Sequence, residues 1–127
     1  MISTIAVVAL GGALGAIARH GVNVGAVQIF GHGFPWGTLI VNVLGSFLMG
    51  LAIAKFANMD HVSHELKTLC ITGFLGAFTT FSTFSLDFVT MWERGEMIYA
   101  LIYMLASVIV SIMALFIALW IMRGLPS

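Results

Sequence analysis

The chain has 127 residues, 61% of them hydrophobic and only 8% charged, with no formal net charge and a mean hydropathy of +1.11. That balance lies outside the range of water-soluble domains, and it excludes a basic surface for nucleic acid. No stretch is left over for a separate soluble domain, so the chain is expected to be one all-α unit over 1–127 whose chemistry lies inside a membrane or at its edges.

A helix needs about 20 mostly apolar residues to cross the hydrocarbon core, and the spacing of charges leaves room for four. The first predicted span covers about 2–18 or slightly more and closes at Arg19-His20. It lacks the basic start of a cleavable signal, so it is expected to be retained. A Gly-rich connection over 21–34 follows, and Pro35 before Trp36 suits the start of a second span over 36–54, closing at Lys55. The polar connection 58–67 carries Asp60, His61, His64 and Glu65, which are metal-ligating residue types without a fixed second half, and these are expected to be solvated loop residues. The third span is expected over 68–92 and the fourth over 97–122, joined by a tight turn at 93–96. Trp36, Trp92 and Trp120 fall near predicted ends, as an aromatic belt would. The single cysteine, Cys70, allows no internal disulfide and is expected to pack rather than react.

Four spans put both termini on one side. Lys55, Lys67 and Arg123 then fall on that side and Arg19 and Arg94 on the other. So little asymmetry would let the chain insert both ways up and assemble as an antiparallel dimer; alternatively one residue of bias, or the α-amino group, fixes a single orientation. An oligomer is expected in any case, because four helices enclose little space to shelter polar groups from lipid. Gly11 and Gly15 form a GxxxG pair that marks a close helix approach, either within one subunit or between two.

The polar residues inside the spans are patterned. Thr38, Asn42 and Ser46 share one face of the second span, and Tyr103, Ser107 and Ser111 share one face of the fourth. A lone intramembrane hydroxyl usually donates to its own helix one turn back. Asn42 cannot be satisfied that way, so it must bond across helices or meet a ligand. In the third span Gly73 and Gly76 precede Thr79, Thr80, Ser82, Thr83 and Ser85, side chains that compete with helical hydrogen bonds. The helix is expected to break there, and broken membrane helices present carbonyls to cations and amides to anions. Phe74, Phe78, Phe81, Phe84 and Phe88 would line one face of that helix, either as packing or as ring edges along an anion's route. With span ends so placed, no Lys, Arg or Glu occupies the centre of a span, and Asp87 is the one acid near one. That pattern disfavours a proton-coupled mechanism and favours a path for a small anion that accepts strong hydrogen bonds.

Three strings carry a family resemblance: Gly11-Gly12-x-x-Gly15-Ala16-x-x-Arg19, Gly37-Thr38-x-x-Val41-Asn42-x-x-Gly45-Ser46-Phe47, and Gly73-Phe74-x-Gly76-x-x-Thr79-Thr80-Phe81-Ser82-Thr83-Phe84-Ser85. Over its whole length the chain resembles the Fluc (CrcB-type) fluoride channels of bacteria. The resemblance implies no enzyme but a multi-pass protein of the bacterial inner membrane that lets toxic fluoride leave the cytoplasm passively. It implies an antiparallel, dual-topology homodimer with two pores. Phe81 and Phe84 would be the pore phenylalanines, with Ser82 and Thr83 beside them. Asn42 would donate to fluoride, and Thr38, Tyr103, Ser107 and Ser111 would form a rail of hydroxyls. The backbone carbonyls of Gly76 and Thr79 would hold a structural sodium ion, and Arg19 would face an aqueous vestibule. Two departures, His20 where an aromatic is frequent and Asp87 where Glu is, fall outside the implied path. The rival readings are a small dual-topology exporter, which would need an acid in the first span, and a structural subunit of a larger membrane complex.

Overall fold

The structure, a computed structural model, describes residues 2–124; Met1, with the α-amino group of the charge balance, and residues 125–127 lie outside the described residues. Among the described residues, four stretches are long and apolar enough to cross a membrane: Ile2–Phe30, Trp36–Ala57, His64–Glu93 and Met97–Gly124. The first is helix α1 (Ile2–Phe30) and the second α2 (Trp36–Ala57). The third is compound: α3 (His64–Lys67) runs into a π-helical segment (Thr68–Leu75) and α4 (Gly76–Phe78), and after two extended residues α5 (Phe81–Glu93) resumes. The fourth is α6 (Met97–Gly124).

α1 does not end at Arg19-His20. It continues to Phe30, so most of the stretch expected to be a connection is helix. Gly21 and Gly25 each face open space, so neither forces a turn, and Val22, Val24, Ala26, Val27 and Ile29 keep the stretch apolar. The helix stops at Gly31, whose φ of 80° is the left-handed cap that ends many helices, with its N–H bonded to the Val27 carbonyl at 2.8 Å. At 1.5 Å per residue the 29 residues span about 43 Å, more than the ~30 Å of hydrocarbon. Arg19 therefore lies within the helix, not at its end, and the expectation that no cation occupies the interior of a span is corrected.

Two close approaches organise the bundle. On one side α1 lies against the π segment. A Cβ on Gly11 would come within 2.5 Å of the Leu69 carbonyl oxygen and 3.0 Å of the Gly73 Cα, and one on Gly15 would collide with the Phe74 carbonyl. The GxxxG pair is thus used inside the subunit. On the other side α2 packs along α6, where Gly50 brings its backbone against Ala118 and Leu115. The α5–α6 turn closes on Gly95, φ 81°, with the Glu96 N–H bonded to the Met91 carbonyl at 2.9 Å, which satisfies carbonyls the helix end would leave open. The Arg94–Glu96 pair at 3.2 Å lies on the surface and adds little. In the polar connection Ser63 caps α3, its Oγ accepting from the Leu66 N–H at 3.1 Å. No cluster of three metal-ligating side chains forms among the described residues.

Candidate functional site

The break lies where the hydroxyl-rich run predicts it. Thr79 and Thr80 take extended conformations, with φ, ψ of −88°, 158° and −152°, 124°. Thr79 keeps the end of α4 in place by donating its hydroxyl to the Leu75 carbonyl at 3.0 Å. Thr80 caps the next helix, its Oγ1 accepting from the Thr83 N–H at 3.3 Å while donating to Thr83 Oγ1 at 3.2 Å. Ser82 Oγ lies 3.5 Å from the same hydroxyl. The Thr-Phe-Ser repeat is therefore first a helix start.

Extended backbone at this depth leaves donors and acceptors that must be satisfied inside the protein. Asn42 on α2 satisfies two of them. Its Oδ1 accepts from the Thr80 N–H at 2.8 Å and its Nδ2 donates to the Thr80 carbonyl at 3.0 Å, so one carboxamide holds both sides of one residue. A second Nδ2 hydrogen remains. Gly45 admits the break to α2, since a Cβ there would collide with the Thr79 methyl. On the opposite side Arg19 Nε donates to the Ala77 carbonyl at 3.0 Å, placing a guanidinium at the carbonyl end of the broken helix. The carbonyls of Gly76, Phe78 and Thr79 receive no hydrogen bond from the described residues.

The two extended residues also divide the phenylalanines, which do not form one face. Each extended residue resets the rotational phase of the helix, so spacing by three no longer means adjacency. Phe74 and Phe78 stack at 5.7 Å against the bundle, and Phe78 is buried. Phe81 is 76% exposed, while Phe84, 5.5 Å away, is buried. Phe84 in turn packs on Tyr103 at 5.2 Å.

Beside the break runs an open groove of about 370 Å³, lined among others by Asn42, Ser46, Phe81, Phe84, Ser107 and Ser111. Its lining is mostly apolar, yet the hydroxyls of Ser107 and Ser111 are buried and have no hydrogen-bond partner among the described residues. Thr38 is buried one turn before Asn42. A second space of about 430 Å³ is lined by Asn23, His32, Thr38, Thr83, Asp87 and Arg94 among others. Tyr103 is fully buried, and its hydroxyl donates to Asp87 Oδ2 at 3.0 Å. Asp87 thus touches a residue of the implied path, which corrects its placement outside it. The signal was present in the sequence, because an acid inside an apolar span marks function by default. His20 is exposed on α1, away from both spaces.

Residues 6–119 match the CrcB-like protein, Camphor Resistance (CrcB) family. Proteins named fluoride-specific ion channel FluC are close relatives. The one from Mesorhizobium japonicum is 51% identical over 119 residues, covering 94% of this chain and 95% of that protein. Those from a Chelativorans species and from Cereibacter sphaeroides are 52% and 49% identical, over 93% and 98% of this chain and 94% and 98% of theirs. With nearly full-length matches at about half identity, and four apolar stretches to carry it through a bilayer several times, the chain belongs to the CrcB-like family of multi-pass membrane proteins.

Proposed function

We propose that this chain is the subunit of a fluoride-selective channel that releases fluoride passively from the bacterial cytoplasm across the inner membrane. The observation that carries the reading is the pair of buried hydroxyls of Ser107 and Ser111, residues that line the groove beside the break and whose hydroxyls have no hydrogen-bond partner among the described residues. A small anion entering low dielectric must replace each lost water with a donor. Those two hydroxyls and the free Nδ2 hydrogen of Asn42 are such donors, and the positive ring edges of Phe81 and Phe84 are a weaker substitute. Thr38, Tyr103, Ser82 and Thr83 extend the polar lining to either side.

The relatives' shared name supports the choice of anion. An antiparallel, dual-topology homodimer with two pores fits the near-even distribution of basic residues and the exposure of Phe81, which a second subunit would cover. A structural sodium ion fits the donor set at the break, since the carbonyls of Gly76 and Thr79 are hard oxygen donors that accept no hydrogen bond from the described residues. Bound there, it would supply positive charge that offsets the cost of a nearby anion. Arg19, at the carbonyl end of α4, would add to the same field.

The test is fluoride efflux from liposomes carrying the purified protein, with chloride as control and Phe81→Ile beside the wild type. Fluoride-selective efflux, slowed about tenfold or more by the loss of one exposed ring, is the expected result. A folded protein that releases neither ion would replace the channel reading with that of a structural subunit. Replacing sodium by a larger cation should abolish the flux, and an unchanged flux would remove the cation from the proposal.

A further inference from the structure

The groove at the break and the space near Arg94 share no lining residue. Tyr103 joins them. It lies one turn before Ser107 on the same face of α6, its ring rests on Phe84 and meets Phe34 edge-on at 5.5 Å, and its hydroxyl points to Asp87, which lines the second space. A tyrosine hydroxyl has one hydrogen to give. In this structure that hydrogen is committed to a carboxylate oxygen 3.0 Å away.

Resting on the channel reading, we propose that Asp87 is a competing acceptor that sets the anion preference of the path: an anion moving between the two spaces must take the Tyr103 hydrogen from Asp87. A hydrogen bond to a carboxylate is about twice as strong as one between neutral groups. Only an anion that accepts as strongly as a carboxylate exchanges with it, which admits fluoride and rejects chloride, a larger and weaker acceptor. The carboxylate also repels any anion that does not complete the exchange. Asp87 is then a positioning residue, acting through the Tyr103 hydroxyl.

Two measurements on the full-length protein test this. In liposomes, Asp87→Asn replaces the carboxylate by a neutral acceptor. Half-saturating fluoride should fall about fivefold and chloride efflux should become measurable, whereas Asp87→Glu should keep the wild-type preference. Tyr103→Phe should slow fluoride, and adding Asp87→Asn to it should change nothing further. An Asp87→Asn effect of full size in the Tyr103→Phe background would show that the charge acts without the hydroxyl and would overturn the proposal, as would the absence of any shift. Infrared difference spectra on exchanging chloride for fluoride give the second readout. A carboxylate band that shifts in the wild type and is missing in Asp87→Asn and Tyr103→Phe is expected, and a wild-type spectrum without it overturns the exchange. Should wild-type liposomes release no fluoride, the channel reading fails while the spectra still decide whether fluoride displaces Asp87.

Discussion

Two faces carry the same kind of residue at the same spacing and are used in opposite ways. On α2, Asn42 is held by the fold, its carboxamide closing both backbone groups of Thr80 and keeping one Nδ2 hydrogen free. On α6, the hydroxyls of Ser107 and Ser111 are buried without hydrogen-bond partners among the described residues. Periodicity made the two stripes look equivalent. Both stripes line the same groove, but the broken backbone is within hydrogen-bond reach of Asn42 alone, so the α2 stripe holds the break while the two α6 serines make no hydrogen bond among the described residues.

That contrast can be broken from the structural side. The largest effect is expected from Gly15→Ala, because the added Cβ would meet the Phe74 carbonyl, a backbone atom that cannot swing away. A loss of about 3 kcal/mol or more should appear in denaturant titration of the detergent-solubilised protein. Gly12→Ala, which faces open space, should leave the curve unmoved. Next is Asn42→Ala, which strands the Thr80 N–H and carbonyl together and should cost about 2–4 kcal/mol in the same titration. Arg19→Gln removes one charge-assisted bond to the Ala77 carbonyl from a half-buried position, and about 1 kcal/mol is expected. The smallest structural effect sharpens the comparison most. Ser107→Ala and Ser111→Ala remove groups that make no protein bond, so stability should change by less than about 0.5 kcal/mol or rise, while liposome fluoride efflux should fall severalfold. If either serine proved as costly to the fold as Asn42, the α6 stripe would be structural and the contrast would disappear.

Much of this molecule was legible before any coordinates. Four apolar stretches, the turn at 93–96 and the cap before Trp36 follow from composition and from the backbone preferences of Gly and Pro, which act locally. The break at Thr79–Thr80 was legible for the same reason, since hydroxyl side chains within a few residues compete directly with helical bonds. Three features were not. The helical course of 21–30 looked like a connection because Arg19 and the glycines after it interrupt the apolar run, yet a helix tolerates both where its neighbours are apolar. The phenylalanine face dissolved because spacing by three means adjacency only while the helix keeps its phase. Asp87 was placed outside the implied path, because its contact with Tyr103 on α6 lies 16 positions away in sequence.

The sequence by itself determined that the chain belongs in a membrane, roughly where it crosses, and which polar groups cannot be satisfied within their own helices. Only the tertiary structure decided the partners. Asn42 meets Thr80, Arg19 meets Ala77, Asp87 meets Tyr103, and the hydroxyls of Ser107 and Ser111 find no hydrogen-bond partner among the described residues. The physical reason is range: helix formation and burial are read from neighbours in sequence, whereas a hydrogen bond between residues 38 or 58 positions apart exists only when Gly11, Gly15 and Gly45 let the helices approach closely enough to form it.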